Sequence, residues 1–572
     1  MSILNANIKP APRQFLPKDF VITDWDTLKP YFEDLLNRDI NSLSDLKQWL
    51  LDSSELEAVI SEDASWRQIR MTCDTENPKL TDAFQYFVME IQPNIQPYSD
   101  KLNTKLIENP FTKELPEGEF FTFLRNIRKN IQLFREENIP LQSQLAVEAQ
   151  NFGMIAGKMT VTVNNKEYTL QQAAKFLKDA DRNLRESVYR KISDRRLEDK
   201  ETLDELFSAL VQKRHQVALN VGFENYRDYR FAELGRFDYT KEDCFQFHNA
   251  VKQHVMPLVD EIYEKKKQTL GLNSLRPWDV DAEKEGETPL KPFQNGSELL
   301  TKTIECFNRL NPFFGACLQT MNQMQRLDLD SRKGKAPGGY NCPLAETGAP
   351  FIFMNAAGTQ DDVTTMVHEG GHAIHSFLTH ALPLTGFKEY PTEIAEVASM
   401  SMELFSMDDW DVFYDNAEEH DRARKQQLER VITIFPWIAA IDKFQHWIYE
   451  NPHHSTEERK QEWRKILDEF TPACLNTEGL DEYRNYGWQK QLHLYEVPFY
   501  YIEYGIAQLG AIGMWQQFKK DKKKALENYM QALSLGGTKT LPQLFETAGL
   551  KFDFSPDYIK ELIMFVKGEI QG

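Results

Sequence analysis

The sequence HEGGH, from His368 to His372, places two metal-binding residues at a spacing that suits a single ion. Residues four apart lie one turn apart on the same face of an α-helix, so both imidazoles can reach one zinc ion at about 2.0 Å. Glu369 follows the first histidine and is rotated off the metal axis, where its carboxylate can contact a metal-activated water. The motif therefore predicts a zinc site formed by His368 and His372, with Glu369 as the general base.

Two further features of this helix bear on what surrounds it. Gly370 and Gly371 lie inside the helix at a cost of about 1 kcal/mol each relative to alanine, which predicts close approach of a neighbouring helix or a bound peptide. His375 lies seven residues beyond His368, or about 10.5 Å along the helix axis, too far for both to bind one ion. His375 is therefore assigned to packing or to contacts around the ligands.

The third ligand is expected on the next predicted helix, EIAEVASMSMELF, from Glu393 to Phe405. Small alanine and serine residues within it would allow close packing against the first helix. Glu396 lies 24 residues after His372, which leaves room for the first helix to end, turn and be followed by an antiparallel one. Glu396 is favoured on this basis, with Glu393, one turn earlier, as the competing candidate.

Composition and charge argue against several other classes of protein. The 572-residue chain has a formal net charge of −20, whereas nucleic-acid binding needs clustered Lys and Arg. Its six cysteines include no CxxC pair, which favours reduced thiols over disulfides or a thiolate metal site. The N-terminus lacks the apolar core of a signal peptide, and the apolar run 431–441 is about half a membrane span. The sequence therefore predicts a cytoplasmic protein with no membrane or nucleic-acid partner.

Helical periodicity dominates the chain. Helix start signals stand at Asp24 and Ser42, and a long run rich in helix formers begins at Leu170. Strand signals are few. Residues 158–170 alternate around an Asn-Asn pair and predict a β-hairpin, and PFIFMN at 350–355 predicts a short apolar strand just before the metal motif. The predicted fold class is mainly α, with a small β element beside the active site.

Longer motifs connect the chain to a known family. They are GKAPGGY (334–340), TGAPFIFMN (347–355), GTQDDVTTMVHEGGHAIHSF (358–377) and EIAEVASMSMELF (393–405). With them the chain resembles the oligoendopeptidase F branch of the thimet oligopeptidase family, over residues 275–550. The resemblance implies an elongated helical ellipsoid split by a deep substrate channel, with one zinc ion per chain on the channel floor. Residues 1–195 are then expected to form part of the channel wall, and residues 196–572 the catalytic region.

The resemblance also implies site residues. The third ligand of the family is the Glu before a small Ala-Ser pair, which maps onto Glu396 because Ala398 and Ser399 follow it; Glu393 then drops out. In the family, a His and tyrosines of a late helix donate hydrogen bonds to the substrate carbonyl and its oxyanion. The best matches here are His493, Tyr501 and Tyr504, with Tyr495 and Tyr500 as nearby rivals.

The expected function is that of a zinc oligoendopeptidase acting on internal bonds of short peptides. If the strand at 350–355 has an exposed edge, it is expected to hold the peptide by backbone pairing, and the loop 338–340 is expected to close on the substrate. Two alternatives stay open. A zinc carboxypeptidase would need a cation for the terminal carboxylate of its substrate, and a non-catalytic peptide- or metal-binding protein would have no need of Glu369.

Overall fold

Helices begin after Asp24 and Ser42, as predicted, in the computed structural model, which describes residues 8 and 12–571. Each of these two side chains accepts a hydrogen bond from the backbone N–H three residues further on, which satisfies a donor that the first helical turn leaves free. The N-terminal helices are α1 (Trp25–Asn37), α2 (Leu43–Cys73), α3 (Pro78–Tyr86), α4 (Gln92–Glu108), α5 (Glu117–Leu133) and α6 (Ile139–Ala156).

A β-hairpin follows α6, as the alternating pattern predicts. Strands β1 (Thr160–Val163) and β2 (Lys166–Thr169) pair in antiparallel orientation. The two connecting residues, Asn164 (φ 51°) and Asn165 (φ 62°), have the left-handed backbone that a two-residue hairpin turn requires. Asparagine tolerates this conformation better than most residues, so the Asn-Asn pair sets the register of the hairpin.

The single long helix predicted from Leu170 is wrong. The chain forms α7 (Leu170–Ala174) and, after a 3₁₀ turn, α8 (Arg182–Leu197). Asp179 has an extended backbone (ψ 150°), and the Asp181 side chain caps the second helix. Aspartate side chains compete with the helical backbone for its N–H groups, so this pair interrupts a run that composition alone would continue.

The middle of the chain is helical up to a small sheet. Its helices are α9 (Lys200–Val221), α10 (Tyr226–Glu233), α11 (Lys241–Ala250), α12 (Met256–Thr269), α13 (Gly296–Leu310) and α14 (Pro312–Gln323). The sheet consists of β3 (Leu327–Asp330), β4 (Tyr340–Cys342) and β5 (Phe351–Ala356) in the order β3-β5-β4. Strand β5 runs parallel to β3 and antiparallel to β4.

The apolar strand predicted at 350–355 is present as β5, but its expected role in edge pairing with a substrate is wrong. Strand β5 lies between β3 and β4, which pairs with residues 351–353, so β5 is the central strand of the sheet and not an exposed edge. Ile352 and Phe353 are fully buried, as is typical of an apolar strand in the middle of a sheet. Strand β4, at one edge of the sheet, begins at Tyr340 of the glycine-rich loop.

The remaining helices form the core around the metal motif. They are α15 (Gln360–Thr379), α16 (Thr385–Lys388), α17 (Thr392–Phe405), α18 (Ala417–Glu450), α19 (Thr456–Glu469), α20 (Asp481–Asn485), α21 (Leu492–Glu496), α22 (Tyr501–Lys520), α23 (Lys522–Ser534), α24 (Leu541–Thr547) and α25 (Pro556–Gln571). Helix α17 packs between α15 and α22, and all its residues from Glu393 to Phe405 are buried.

The predicted mainly α fold class with a small β element is confirmed. Across residues 8 and 12–571, no helix has both the length and the apolar character that crossing a bilayer would require. The division of the chain between residues 195 and 196 stays a prediction.

Candidate active site

The three predicted metal ligands come together where α15 packs on α17. Nε2 of His368 lies 3.2 Å from Oε2 of Glu396, and Nε2 of His372 lies 3.6 Å from the same oxygen. The donor atoms of the three residues all lie within 4.8 Å of one another. Tetrahedral zinc, with bonds of about 2.0–2.2 Å, holds its donors about 3.3 Å apart. The residue types and their spacing therefore fit a zinc ion.

Gly371 allows the two helices to approach this closely. A Cβ atom at this position would lie 2.6 Å from Cα of Ser399 and 2.7 Å from the carbonyl oxygen of Ala398, both on α17. At Gly370, a Cβ atom would lie 2.7 Å from the ring of Phe307. Of the two explanations that the sequence offers for this glycine pair, the structure contains the neighbouring helix.

Two other candidate ligands considered from the sequence lie outside the donor set. The His375 ring stacks on Tyr390, with 3.5 Å between ring centroids and 14° between planes. Glu393 accepts a hydrogen bond of 2.6 Å from the hydroxyl of Tyr239. Both residues are buried and packed within the protein core.

A further carboxylate on α17 orients the first histidine. Oε1 of Glu403 lies 2.7 Å from Nδ1 of His368, and Gln427 donates a hydrogen bond of 2.8 Å to Oε2 of Glu403. A carboxylate on one ring nitrogen fixes the imidazole and leaves the other nitrogen to bind a metal. Sequence reasoning misses Glu403, although it stands seven residues after Glu396. That distance is about two helical turns, so both lie on one helix face.

Glu369 lies next to the donor set with one oxygen free. Its side chain is buried, and its Oε2 has no hydrogen-bond partner among the described residues. Burial raises the pKa of Glu369 above its usual value, although the positive charges that His368 and His372 can carry oppose the rise. A buried carboxylate with a free oxygen in a cavity wall is suited to accept a proton and to return it.

His493 and Tyr504 form a pair in the wall of the same cavity. Nε2 of His493 lies 3.0 Å from the Tyr504 hydroxyl, and Nδ1 of His493 lies 2.8 Å from the side-chain amide of Gln491. Burial lowers the pKa of His493 to about 4 and raises the pKa of Tyr504 well above its usual value. Near pH 7 the imidazole is therefore neutral and the phenol protonated, and both can donate hydrogen bonds.

The other tyrosines of this segment have different surroundings. The Tyr500 hydroxyl donates a hydrogen bond of 2.5 Å to Oε1 of Glu396. Tyr501 lines a smaller cavity of about 220 Å³. Tyr495 is fully buried and stacks on Phe152, with 4.5 Å between ring centroids, so it belongs to the core. Of the two rivals to Tyr504, only Tyr500 contacts a predicted metal ligand.

Two family profiles match most of the chain. The sequence profile of Peptidase family M3 matches residues 175–564, and that of the Peptidase M3 N-terminal domain matches residues 15–134. The chain belongs to peptidase family M3. Members of this family are zinc metallopeptidases.

Among curated M3 relatives, oligopeptidase PepF of Bacillus subtilis is 22% identical over 431 residues, which are 71% of this chain and 61% of that protein. An oligoendopeptidase F homolog of Borreliella burgdorferi is 23% identical over 388 residues, which are 66% of this chain and 62% of that protein. The chain thus spans about three fifths of the length of these relatives.

Two solved M3-like structures superpose on nearly the whole chain. Pz peptidase A with an inhibitor is 26% identical with a TM-score of 0.91, covering 96% of this chain and 97% of that one. A chain provisionally named oligoendopeptidase F is 27% identical with a TM-score of 0.90, covering 96% of both chains. The chain therefore shares its fold with these two structures along almost its entire length.

A cavity of about 990 Å³ opens beside the predicted M3 site. Its wall includes His368, His372, Glu369, Glu396, His493, Tyr500 and Tyr504. The loop 338–340 also lines it, and a Cβ atom at Gly339 would lie 3.7 Å from Oε1 of Glu369. Tyr340 in this loop is held by a 2.6 Å contact between its hydroxyl and that of Thr72. Closure of the loop on a substrate stays a prediction.

Two cations line the same cavity without a carboxylate partner. Arg196 and Lys490 form no ion pair with any acidic side chain in residues 8 and 12–571. Nζ of Lys490 lies 4.4 Å from the centroid of the Trp437 ring. Lys490 remains accessible from the cavity, but burial lowers its pKa to about 8, and the charge of Arg196 contributes to the lowering. Sequence reasoning names neither residue, because they come from distant parts of the chain.

Proposed function

We propose that the chain is a zinc oligoendopeptidase that hydrolyses internal bonds of short peptides. The catalytic zinc ion would be held by Nε2 of His368, Nε2 of His372 and Oε2 of Glu396. The observation that carries the proposal is the position of Glu369, which lines the same cavity as the three donors and has a buried carboxylate oxygen without a hydrogen-bond partner among the described residues. A protein that only stored metal or bound peptides would have no use for that oxygen.

The chemistry divides between the metal and the side chains. A zinc ion at this donor set would polarise the scissile carbonyl and acidify a water molecule. The Glu369 carboxylate would accept a proton from the attacking water while the water oxygen bonds to the carbonyl carbon. As the C–N bond breaks, Glu369 gives the proton to the leaving amine, which regenerates the carboxylate. The raised pKa of Glu369 favours this exchange, because it makes the protonated form easier to reach near pH 7.

Tyr504 and His493 are proposed to donate hydrogen bonds to the carbonyl oxygen as it gains negative charge. Both are half-buried, and they contact each other through Nε2 of His493 and the Tyr504 hydroxyl. One donor of this kind typically stabilises the transition state by about 2.7–4 kcal/mol, since it needs no reorganisation when the charge develops. Tyr501, in the smaller cavity that His493 and Tyr504 also line, is the candidate for a further donor.

The cavity supports peptides as substrates and argues against folded proteins. About 990 Å³ accommodates an extended peptide segment but no folded domain. A globular substrate would first have to unfold, at a cost of about 5–15 kcal/mol. The proposed substrates are therefore short or unstructured peptides.

One observation favours a second candidate function, that of a zinc carboxypeptidase. Arg196 and Lys490 present unpaired positive charge to the cavity, and such a pair suits the terminal carboxylate of a peptide. A carboxypeptidase would use this contact to place the last peptide bond at the metal. An oligoendopeptidase would use it to hold the end of a longer substrate, with the cleaved bond further from the terminus.

Mass spectrometry of a defined peptide library distinguishes these functions. The library is supplied with free C-termini and, separately, with amidated C-termini, and is incubated with and without a chelator. Internal cleavage of both peptide sets supports the oligoendopeptidase, provided that the chelator stops the cleavage and added zinc restores it. Release of single terminal residues from the free acids alone supports the carboxypeptidase. Absence of new termini in a zinc-loaded sample would contradict both, and the Glu369→Gln variant controls for contaminating peptidases.

A further inference from the structure

Two pairs of metal-binding residues face each other between α11 and α18. Cys244 and His248 stand four residues apart on α11, and Asp442 and His446 stand four apart on α18. Each pair therefore lies one turn apart on one helix face. Their exposed fractions are 1%, 3%, 0% and 2%, in that order. Donor atoms of Cys244, Asp442 and His446 lie within 4.8 Å of one another, and Nε2 of His248 lies 2.8 Å from Oδ2 of Asp442.

The described residues do not satisfy the polar atoms of this cluster. Oδ1 of Asp442 and both ring nitrogens of His446 have no hydrogen-bond partner there, although Nε2 of His446 comes within 3.3 Å of Oδ2 of Asp442. Aromatic rings fill the surroundings, with ring centroids of Phe245 and Phe499 at 4.8 and 5.4 Å from that of His446. Buried polar atoms without a hydrogen-bond partner destabilise the fold, so a partner from outside the chain is expected.

We propose that Cys244, Asp442 and His446 form a second metal site, which binds a divalent ion of the zinc class, while His248 orients the Asp442 carboxylate. A thiolate, a carboxylate and an imidazole are all zinc ligands, and a water molecule would complete a tetrahedral set. The thiolate and the carboxylate together balance the two charges of the cation, so the occupied site is neutral in its apolar surroundings.

The nearby charged side chains do not supply the missing partner for this cluster. Arg236 is the cation close to Cys244, but its guanidinium already forms a 2.8 Å ion pair with the buried Glu503. No CxxC motif marks this site in the sequence, because its residues come as two pairs, with 194 residues between His248 and Asp442. All three ligands are buried and none lines the catalytic cavity, so a substrate cannot reach the site and its role is structural.

The proposed site lies under a segment that leads to the catalytic cavity. Gln445, the neighbour of His446, accepts a hydrogen bond of 2.6 Å from the backbone N–H of Phe499. Phe499 packs on the His446 ring and immediately precedes Tyr500. A metal that joins α11 to α18 would therefore hold in place the segment that positions Tyr500.

Cobalt substitution of the full-length chain tests the second site. A cobalt–thiolate bond gives a ligand-to-metal charge-transfer band in the near ultraviolet, which the two imidazoles and carboxylate of the proposed catalytic site cannot give. After chelator treatment and reloading with Co²⁺, we expect two equivalents of metal and this band. The His368→Ala/His372→Ala double variant should keep one equivalent and the full band. Cys244→Ala should lose the band, whereas Cys317→Ala, a buried thiol on α14, should keep it.

The proposal would be overturned if the unsubstituted chain shows no charge-transfer band and binds a single equivalent of Co²⁺, which the double variant then loses. A buried water would in that case be the partner of Asp442. If Cys244→Ala does not fold, the unsubstituted chain and the double variant still decide the question. Because the double variant lacks the proposed catalytic ligands, its band is independent of whether the chain cuts peptides.

Discussion

The hydroxyl of Tyr500 donates a hydrogen bond of 2.5 Å to Oε1 of Glu396, the carboxylate whose other oxygen lies 3.2 Å from Nε2 of His368. A hydrogen bond to one oxygen of a ligating carboxylate determines which oxygen is presented to the metal. Tyr500 is therefore suited to position a ligand, whereas Tyr504, which contacts His493, is suited to contact the substrate. The two hydroxyls should have separable effects.

Replacing Tyr500 by Phe removes only the donor to Glu396. We expect zinc affinity to fall by about 10–100-fold, the usual effect of losing a contact that supports a metal ligand. Competition with a chromogenic chelator measures the change. Tyr495→Phe is the matched control, because that ring is buried in the core and its hydroxyl has no partner among the described residues. Unchanged zinc affinity in Tyr500→Phe would show that the hydrogen bond does not support the site.

Replacing Tyr504 by Phe should affect the transition state while sparing the metal. We expect kcat to fall by about 10²–10³-fold with KM and zinc content little changed, because the hydroxyl is needed mainly once the carbonyl oxygen carries charge. Steady-state kinetics on an internally quenched peptide provides the measurement. A change confined to KM would assign Tyr504 to substrate binding and remove it from the list of oxyanion donors.

Glu369→Gln separates metal binding from proton transfer. The amide keeps the size of the side chain but cannot accept the proton, so we expect full zinc content and a kcat lower by about 10²–10⁴-fold. Glu393→Gln is the control, since its amide oxygen can still accept the hydrogen bond from Tyr239 and it lies outside the donor set. Equal activity of the two variants would mean that another group takes the proton from the water.

Local sequence patterns predict the elements that carry the chemistry, but not what these elements contact. The HEGGH spacing and the caps at Asp24 and Ser42 depend on residues within one or two helical turns, so the sequence is sufficient for them. The position of β5 depends on which strands pair with it, and both partners lie elsewhere in the chain. A strand that is apolar on both faces is more often central than exposed, and this rule would have avoided the error.

The same distinction applies to the candidate site. His368, His372 and Glu396 can be chosen from motif spacing and resemblance. Arg196 and Glu403 could not be chosen in this way, because their roles depend on contacts with distant elements. Arg196 on α8 brings a positive charge to the cavity, and Glu403 on α17 brings a carboxylate to Nδ1 of His368. For Glu403 a helical repeat was at least visible in the sequence. For Arg196 no local signal exists.

Gly371 offers a test of how closely α15 and α17 must pack. In Gly371→Ala the new Cβ atom would meet backbone atoms of α17, the nearest at 2.6 Å, and backbone cannot rotate away as a side chain can. We expect the free energy of unfolding to fall by about 1–3 kcal/mol, as is usual for overpacking. Gly568→Ala is the control, since no atom lies within 4 Å of its added Cβ in α25 and helix propensity favours alanine by about 1 kcal/mol. Urea unfolding of both variants measures the difference, and equal stability would contradict the tight contact.

Lys490 provides a pH-dependent test of how the cavity binds the end of a peptide. Burial and the charge of Arg196 lower its pKa to about 8, with Asp281 opposing the effect. The ammonium group is thus present below about pH 8 and is lost as the pH rises through that value. For peptides with a free C-terminus, we expect KM to rise by roughly tenfold between pH 7 and pH 9, the equivalent of a lost charge-assisted hydrogen bond.

Amidated peptides of the same sequence should show no such rise, and they control for the titration of other groups. Lys490→Met should give the high KM for free acids at both pH values while leaving the amidated peptides unaffected. If free and amidated peptides follow the same pH profile in the unsubstituted enzyme, the Arg196 and Lys490 pair does not bind the carboxylate, and the carboxypeptidase alternative loses the observation that favours it.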